Sequence, residues 1–338
     1  MKKELLERMV AEEFIKVNKH PEADLFIYNY SPKTQYEREW NECTILCRGL
    51  IMDAAFNIVA RPFPKFFNLE EMETATIPAH AFEVYEKLDG SLGILYWLEG
   101  NPYIATRGSF SSEQALVANE MLYAQYAHTF AHLNPNYTYL FEIIYPENRI
   151  VVNYETEKSL TLLAIVETQT GKDIPLEAIG FPLVKKYNGI TDLFLLKQLE
   201  ENNREGFVVK FADGLRLKVK FAEYQRIHRI VTQVSNQTIW EHLRDNEDLT
   251  LILDRVPDEF YDWVRKTHET LIQEYEKIEA GAKAEFKELE TRKETAFYFQ
   301  TCRFPKILFS ILDKRNYAPI IWKMVKPKFE KPFAKYEV

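Results

Sequence analysis

The chain has 338 residues, 46% of them hydrophobic, with a formal net charge of -8 and three cysteines. Its length allows one large domain, a smaller one and a sizeable core. The acidic balance argues against an indiscriminate nucleic-acid binder, and the sequence has neither a charged-then-apolar leader nor a long apolar run. The expectation is a soluble, cytoplasmic monomer whose Cys43, Cys47 and Cys302 are reduced, because three cysteines cannot pair completely and lack a zinc-type spacing.

In chain order, Leu5, Leu6, Met9, Val10, Phe14 and Val17 recur at helical spacing and predict an amphipathic helix over 2–18. Residues 26–30 read as a short aromatic strand. Residues 44–52 alternate around Arg48-Gly49, with 57–61 as a hairpin partner, and Pro62 and Pro64 break the strand before Lys65-Phe66-Phe67-Asn68. A strand from Phe82 stops at Lys87, turns at Asp89-Gly90-Ser91 and resumes through Ile94, Leu95 and Tyr96 as a hairpin. A lysine at a strand end beside a tight turn can be held still and partly dehydrated, and both help it lose a proton and attack an electrophile. Taken alone, the same residues describe an ordinary Asp-Gly hairpin with a solvated lysine.

Residues 103–106 read as a strand, and 112–131 as a helix with Leu116, Met121, Leu122 and Tyr126 inward. His128 and His132 stand four apart on it, without a third metal ligand. Strands follow at 137–144, 149–154, 160–167 and 206–211. Residues 215–221 alternate so that Arg216, Lys218 and Lys220 share one face. Beyond about 230 no strand pattern appears, and Phe260, Val264, Leu271, Tyr275, Ile278, Phe286 and Leu289 predict a long helix after Pro257. From Arg303 to Lys335, nine Lys/Arg stand against Asp313 and Glu330, interleaved with Phe304, Phe309, Tyr317, Trp322, Phe329 and Phe333. That strip suits phosphate contacts and base stacking on single-stranded nucleic acid, and equally a basic face docked on the acidic remainder. The fold class is α+β: antiparallel sheets with flanking helices over 1–232, then an all-helical domain over 233–338.

Arg48, Lys65, Lys87, Glu142, Glu205, Lys218 and Lys220 all fall at strand ends or on strand faces. Several cations with two carboxylates suit a nucleoside triphosphate and a divalent ion. Neither a P-loop nor a Rossmann glycine pattern is present.

KLDGS at 87 to 91, FEIIY at 141 to 145, EGFVVK at 205 to 210 and LKVK at 217 to 220 resemble, in order, motifs I, III, IV and V of the covalent nucleotidyltransferases. CRG at 47 to 49, KFFN at 65 to 68, RGSFSSEQALVAN at 107 to 119 and NRIVVNY at 148 to 154 resemble the narrower RNA ligase 1 family, whose type member is the bacteriophage T4 enzyme. The resemblance covers roughly 25 to 230 and fades in the helical part. It implies a ligase-type nucleotidyltransferase fold and an ATP-dependent RNA ligase, acting in RNA repair or tRNA processing in a phage-infected or bacterial cytoplasm. Such an enzyme joins 5′-phosphate and 3′-hydroxyl ends of single-stranded RNA or tRNA through lysyl-AMP and an adenylylated 5′ end. ATP would be the AMP donor, with Mg2+, or Mn2+ in its place, as the ion.

The resemblance further implies that Lys87 is the nucleophile. Arg48 and Glu142 would contact the ribose region, and Lys65, Lys218 and Lys220 the triphosphate. Tyr30 and Phe67 would line the nucleotide site, Glu205 would place the metal, and Asp248 is the second acidic match for it. Tyr224 falls where the family has a functionally important tyrosine. Arg107 stands where the T4-like pattern has lysine, and Leu88 replaces an acidic residue. Since an unperturbed lysine has a pKa of about 10.4, neighbouring Lys65, Lys218 or Lys220 and the ion are expected to disfavour the Lys87 ammonium. The alternatives are a DNA ligase or capping-type enzyme acting on other ends, single-stranded DNA included, and a non-catalytic RNA-binding protein. The first group usually adds an OB-fold where helices are predicted here.

Overall fold

Helix α1 (Lys3–Ala11) is half the length that its periodicity predicts. Glu13 adopts a left-handed φ of 63°, the Glu13 N–H reaches Val10 O at 3.0 Å, and the Phe14 N–H reaches Met9 O at 2.9 Å. This pair of bonds closes the helix end, a role usually given to glycine. Val17 then lies in strand β1 (Ile15–Lys19), not on the helix. The computed structural model describes residues 1–73, 76–222, 224–225, 234–253 and 261–328, and divides into two units, Met1–Val231 and Thr232–Val338.

In the first unit, β1 pairs with β2 (Leu25–Tyr30), followed by α2 (Pro32–Glu37), α3 (Glu42–Leu46), β3 (Arg48–Asp53) and β4 (Ile58–Ala60). The four strands form an antiparallel sheet in the order β1-β2-β3-β4. The strand expected from residue 44 begins only at Arg48. Asn41 caps α3, accepting the N–H groups of Cys43 at 2.9 Å and Thr44 at 3.1 Å, while Thr44 Oγ1 accepts the Asn41 N–H at 2.8 Å. That reciprocal box makes residues 42–46 helical in spite of their alternation.

The remaining strands are β5 (Phe67–Asn68), β6 (Phe82–Lys87), β7 (Ser91–Leu98), β8 (Asn101–Thr106), β9 (Tyr137–Ile144), β10 (Ser159–Glu167), β11 (Asp173–Ile174), β12 (Lys186–Tyr187), β13 (Gly206–Phe211) and β14 (Arg216–Lys220). One sheet runs β11-β10-β9-β7-β8 and the other β12-β6-β13-β14-β5; only β14 and β5 pair in parallel. The expected lysine hairpin is therefore corrected. β6 and β7 belong to different sheets, and the chain crosses between them at Asp89-Gly90.

The sheet built on β9 is covered on both faces. Leu95, Phe141, Ile143 and Leu162 pack with Met121 and Leu122 of α4 (Glu113–Gln125), while Ile94, Tyr96 and Leu140 pack against Ile27 and Ile51 of the first sheet. Alternate residues of β7 and β9 thus fill opposite cores, which is why these strands read as nearly continuous apolar runs. Helix α4 ends at Gln125 and gives way to a 3-10 turn, Ala127–His132, while Leu116 points outward at 55% exposed. His128 and His132 are exposed on that turn, whose three-residue period does not stack positions four apart. Residues 149–154 form no strand.

The second unit is helical among its described residues: α5 (Asn236–Asp245), α6 (Thr250–Leu253), α7 (Tyr261–Glu285), α8 (Arg292–Thr301), α9 (Pro305–Leu312) and α10 (Ala318–Met324). Ile239, Val264, Leu271, Phe299, Ile307, Leu308 and Ile321 are buried, and Trp240 donates from Nε1 to Trp322 O at 2.8 Å. The long predicted helix is α7. It stops before Phe286 and Leu289, and Pro257 and Phe260 lie outside the described residues. No helix of the described residues is long and apolar enough to cross a membrane.

Candidate active site

Three neighbouring strands assemble the charged centre. Register places Lys87, the last residue of β6, opposite Gly206 of β13, and Gly206 opposite Lys220 of β14. Glu205 immediately precedes β13 and is buried; its Oε2 lies 2.6 Å from Lys87 Nζ and its Oε1 3.4 Å from Lys220 Nζ. Gly206 permits this close approach. Its φ is 143°, and a Cβ there would stand 2.1 Å from Val219 O. The Lys87 side chain remains 20% exposed, enough to be reached by a ligand. The amine expected to lie against cations is held directly by a carboxylate, with Lys220 on that carboxylate's other oxygen.

A second group forms around aromatic rings. Lys218 is buried two residues before Lys220 and lies over Phe66 at 5.4 Å; the Arg48 guanidinium lies over the same ring at 5.5 Å. Lys65 is 5% exposed and 3.4 Å from Gln35 Oε1. Its ammonium sits 5.5, 5.2 and 5.3 Å from the ring centres of Tyr30, Trp40 and Phe67. Arg107 donates to the Tyr30 hydroxyl at 3.3 Å and covers its ring at 5.4 Å. Tyr30 thus joins Arg107 to Lys65, and Phe66 joins Arg48 to Lys218. Trp40 stands edge-on to Tyr30 at 5.2 Å and to Phe67 at 5.4 Å. Sequence reasoning assigned no role to Trp40, Gln35 or Phe66; a lone tryptophan in the polar run 32–42 was the signal for the first two, and the KFFN motif holds the third.

The turn after Lys87 is tied down by Asp89, 3% exposed. Its Oδ2 accepts the Val151 and Val152 N–H groups, each at 2.8 Å; its Oδ1 accepts the Tyr224 hydroxyl at 2.8 Å; its own N–H donates to the Tyr154 hydroxyl at 2.8 Å. Lys220 lies over the Tyr224 ring at 5.7 Å. A circuit of contacts therefore runs from Lys87 through Glu205, Lys220, Tyr224 and Asp89 back to the lysine turn. It also explains two failed expectations. Asp89 binds the 151–152 backbone, so the turn does not close as a hairpin and 149–154 cannot spend those donors on a ladder.

Glu142 faces the same turn from β9, with Oε1 accepting the Gly90 N–H at 2.8 Å. Gly90 has no room for a side chain, since a Cβ would stand 2.6 Å from Ile143 O. Burial pushes the Glu142 carboxyl up from 4.5 to about 7; Lys87 draws it down, Glu205 pushes it up, the Gly90 N–H draws it down and Asp89 pushes it up. A carboxyl raised on folding contributes stability that is fully present below 4.5 and is lost as pH rises through about 7. Glu142→Gln should therefore gain stability relative to the parent across that window, by on the order of 3 kcal/mol at about pH 8. Urea midpoints of the two proteins against pH measure this, and a pH-independent difference would contradict it.

Asp248 belongs to the second unit, where its Oδ1 accepts the Thr250 N–H at 2.9 Å beside α6. The described aromatics of the basic strip take part in packing. Phe304 and Trp322 are buried, Phe309 packs on Phe299 at 5.3 Å, and the Tyr317 hydroxyl donates to Glu279 at 2.8 Å. These rings serve their own unit's packing; Phe329, Lys331, Phe333 and Lys335 lie outside the described residues. Cys43, Cys47 and Cys302 are free thiols.

The hard oxygen donors of Glu205 and Glu142, beside buried cations, fit a divalent ion that keeps several waters and shares phosphate ligands. Among the described residues, no group of three His, Cys, Asp or Glu side chains could hold an ion by itself.

The chain is 28% identical over 254 residues to a protein of Autographa californica nuclear polyhedrosis virus named as a bifunctional polynucleotide kinase/RNA ligase, covering 66% of this chain and 36% of that protein. It is 31% identical over 221 residues to a protein of Thermovibrio ammonificans named as an RNA ligase, covering 60% and 56%. The chain thus spans about a third to just over half the length of these two relatives. A solved structure from Aquifex aeolicus, named as an ATP-dependent DNA ligase, superposes with a TM-score of 0.51 at 17% identity, covering 93% of this chain and 88% of that one; it shares the fold. The RNA ligase family matches residues 46–225, more than half of the chain and the span that carries Arg48, Lys65, Lys87, Glu142, Glu205, Lys218, Lys220 and Tyr224, and the chain belongs to that family.

Proposed function

We propose that this protein is an ATP-dependent RNA ligase that works through a covalent AMP on Lys87. The observation that carries the reading is the Lys87 amine held 2.6 Å from a buried Glu205 carboxylate, whose other oxygen lies 3.4 Å from Lys220 Nζ. Residues 1–232 would be the adenylyltransferase domain and 233–338 a helical domain for nucleic-acid contact.

In the first step the Lys87 amine attacks the α-phosphorus of ATP. A P–N bond forms, the P–O bond to pyrophosphate breaks, and the amine gives up a proton. Glu205 stands at hydrogen-bond distance to steer the amine and take that proton. Lys218, Lys220 and Lys65 would neutralise the triphosphate, and Arg48 and Glu142 would hold the ribose and α-phosphate. Tyr30 and Phe67, with Trp40 behind them, would wall the nucleotide, and Arg107 would be reached through Tyr30. Tyr224 would act through Asp89 and Lys220. A divalent ion, Mg2+ or Mn2+, would be held by Glu205, with Glu142 beside it, and would supply positive charge against the phosphoryl oxygens. AMP then passes to the 5′-phosphate of an RNA strand, and a 3′-hydroxyl displaces AMP to join the ends.

Incubation with labelled ATP and Mg2+, followed by mass spectrometry, tests the reading. One AMP should appear on the peptide containing Lys87, with release of pyrophosphate, and the charged protein should seal RNA ends faster than DNA ends. Label absent, or attached to another residue, would overturn it.

A further inference from the structure

The stretch 148–154 carries a motif that the reaction above leaves unused. Beyond the 3-10 turn that ends at Asn148 it has no helix or strand, yet it is fixed along its length. Asn148 donates to Ile143 O at 3.0 Å and to Ser91 Oγ at 3.1 Å. Val151 and Val152 donate to Asp89 and are buried, and Tyr154 accepts the Asp89 N–H. Asn153 exchanges two hydrogen bonds with Asn203, at 2.7 and 2.8 Å. Between these anchors, Arg149 and Ile150 face solvent, and Ile150 is 39% exposed. Arg149 Nε donates to Val151 O at 3.3 Å, which fixes the guanidinium by one edge.

An exposed loop held this firmly loses little entropy when it binds, so its two outward side chains form a prepared contact. A guanidinium matches two oxygens of a phosphate, and a branched apolar side chain beside it matches a sugar or base face. The place fits as well. Val151 N is 2.8 Å from Asp89, which stands two residues after Lys87, and Arg149 is at most about 7 Å further along the chain. Glu147, exposed on the same loop, would repel further phosphates, so the rim suits one phosphate of a single strand and not a duplex backbone.

We propose that Arg149 and Ile150 form the rim that binds the strand receiving AMP, with Arg149 on a backbone phosphate and Ile150 on the adjacent nucleoside. This rests on the ligase reading above. The test uses the full chain, ATP, Mg2+ and a short 5′-phosphorylated single-stranded oligoribonucleotide, with Arg149→Ala, Arg149→Lys and Ile150→Ala. Lys87 adenylylation needs no RNA, so adduct yield and the KM for ATP check that each variant folds and handles nucleotide. Arg149→Ala should leave both within about twofold, raise the KM for RNA about tenfold, and lower the salt slope of RNA binding by about 0.7, the share of one single-strand phosphate. Arg149→Lys should restore most of the slope, and Ile150→Ala should weaken binding about threefold without changing it. Unchanged RNA KM and slope with normal adduct formation would overturn the proposal, as would loss of the adduct or of ATP affinity in Arg149→Ala. A parent protein that forms no adduct would instead defeat the ligase reading, and fluorescence anisotropy of the oligoribonucleotide alone would still decide whether Arg149 holds its phosphate.

Discussion

Lys87→Ala and Lys87→Arg should both lose covalent AMP labelling by about a thousandfold or more, since no other group can replace a reacting nucleophile. The arginine variant is the sharper test. It keeps a positive charge beside Glu205, so the ion pair and the fold are preserved while the nucleophilic amine is gone. Lys87→Ala leaves Glu205 buried with Lys220 at 3.4 Å as its remaining partner in that pair. Stripping one partner from a fully buried pair costs about 3–5 kcal/mol, and the retained lysine and the exposure of Lys87 reduce this to about 1–2 kcal/mol. Thermal melting should therefore move modestly in Lys87→Ala and hardly at all in Lys87→Arg, while labelling disappears in both. A labelled Lys87→Arg protein would remove the amine from the chemistry.

The separation of what the sequence discloses from what it hides follows physical lines. β14 was legible because alternation has one cause, a strand with one face buried, and its register with β13 then forces Lys218 and Lys220 to the side where Lys87 emerges. β9 and β10 were legible as long apolar runs because cores lie on both faces. The end of α1 was hidden because Glu13, not a glycine, takes the left-handed turn. Residues 44–46 were misread because their alternation is overruled by a cap four residues wide around Asn41. The aromatic enclosure of Lys65 was half legible: KFFN marks Phe67, while Trp40 joins it only through folding. The strip after Arg303 left two readings open because periodicity cannot tell an aromatic turned outward from one filling a small helical core. Asp89 was read as a turn residue, and its buried role depends on two valine N–H groups some sixty positions away.

Asp89→Ala should be the most damaging single change outside the charged centre. Removing the carboxylate leaves the Val151 and Val152 N–H groups and the Tyr224 hydroxyl without the acceptor they share. Each orphaned buried donor costs about 1–3 kcal/mol, so the expected loss is about 3–6 kcal/mol, with water entering the space reducing the upper figure. For a unit of this size that is a fall in melting temperature on the order of 10 °C. The loss should not stop at stability. The same carboxylate pins the turn beginning two residues after Lys87 and the tyrosine beneath Lys220, so labelling by ATP should fall at least about a hundredfold even well below the melting point. Tyr224→Phe separates the parts: it keeps the ring under Lys220, removes one hydrogen bond to Asp89, and should cost about 1 kcal/mol. If the circuit acts as one body, the double variant Asp89→Ala/Tyr224→Phe should be less damaged than the sum of its parts by about 1 kcal/mol, because both single changes break the same bond. Strict additivity, or an Asp89→Ala protein that labels normally at low temperature, would mean that the lysine turn holds its shape without the clamp, and that its register with β13 alone aims the amine.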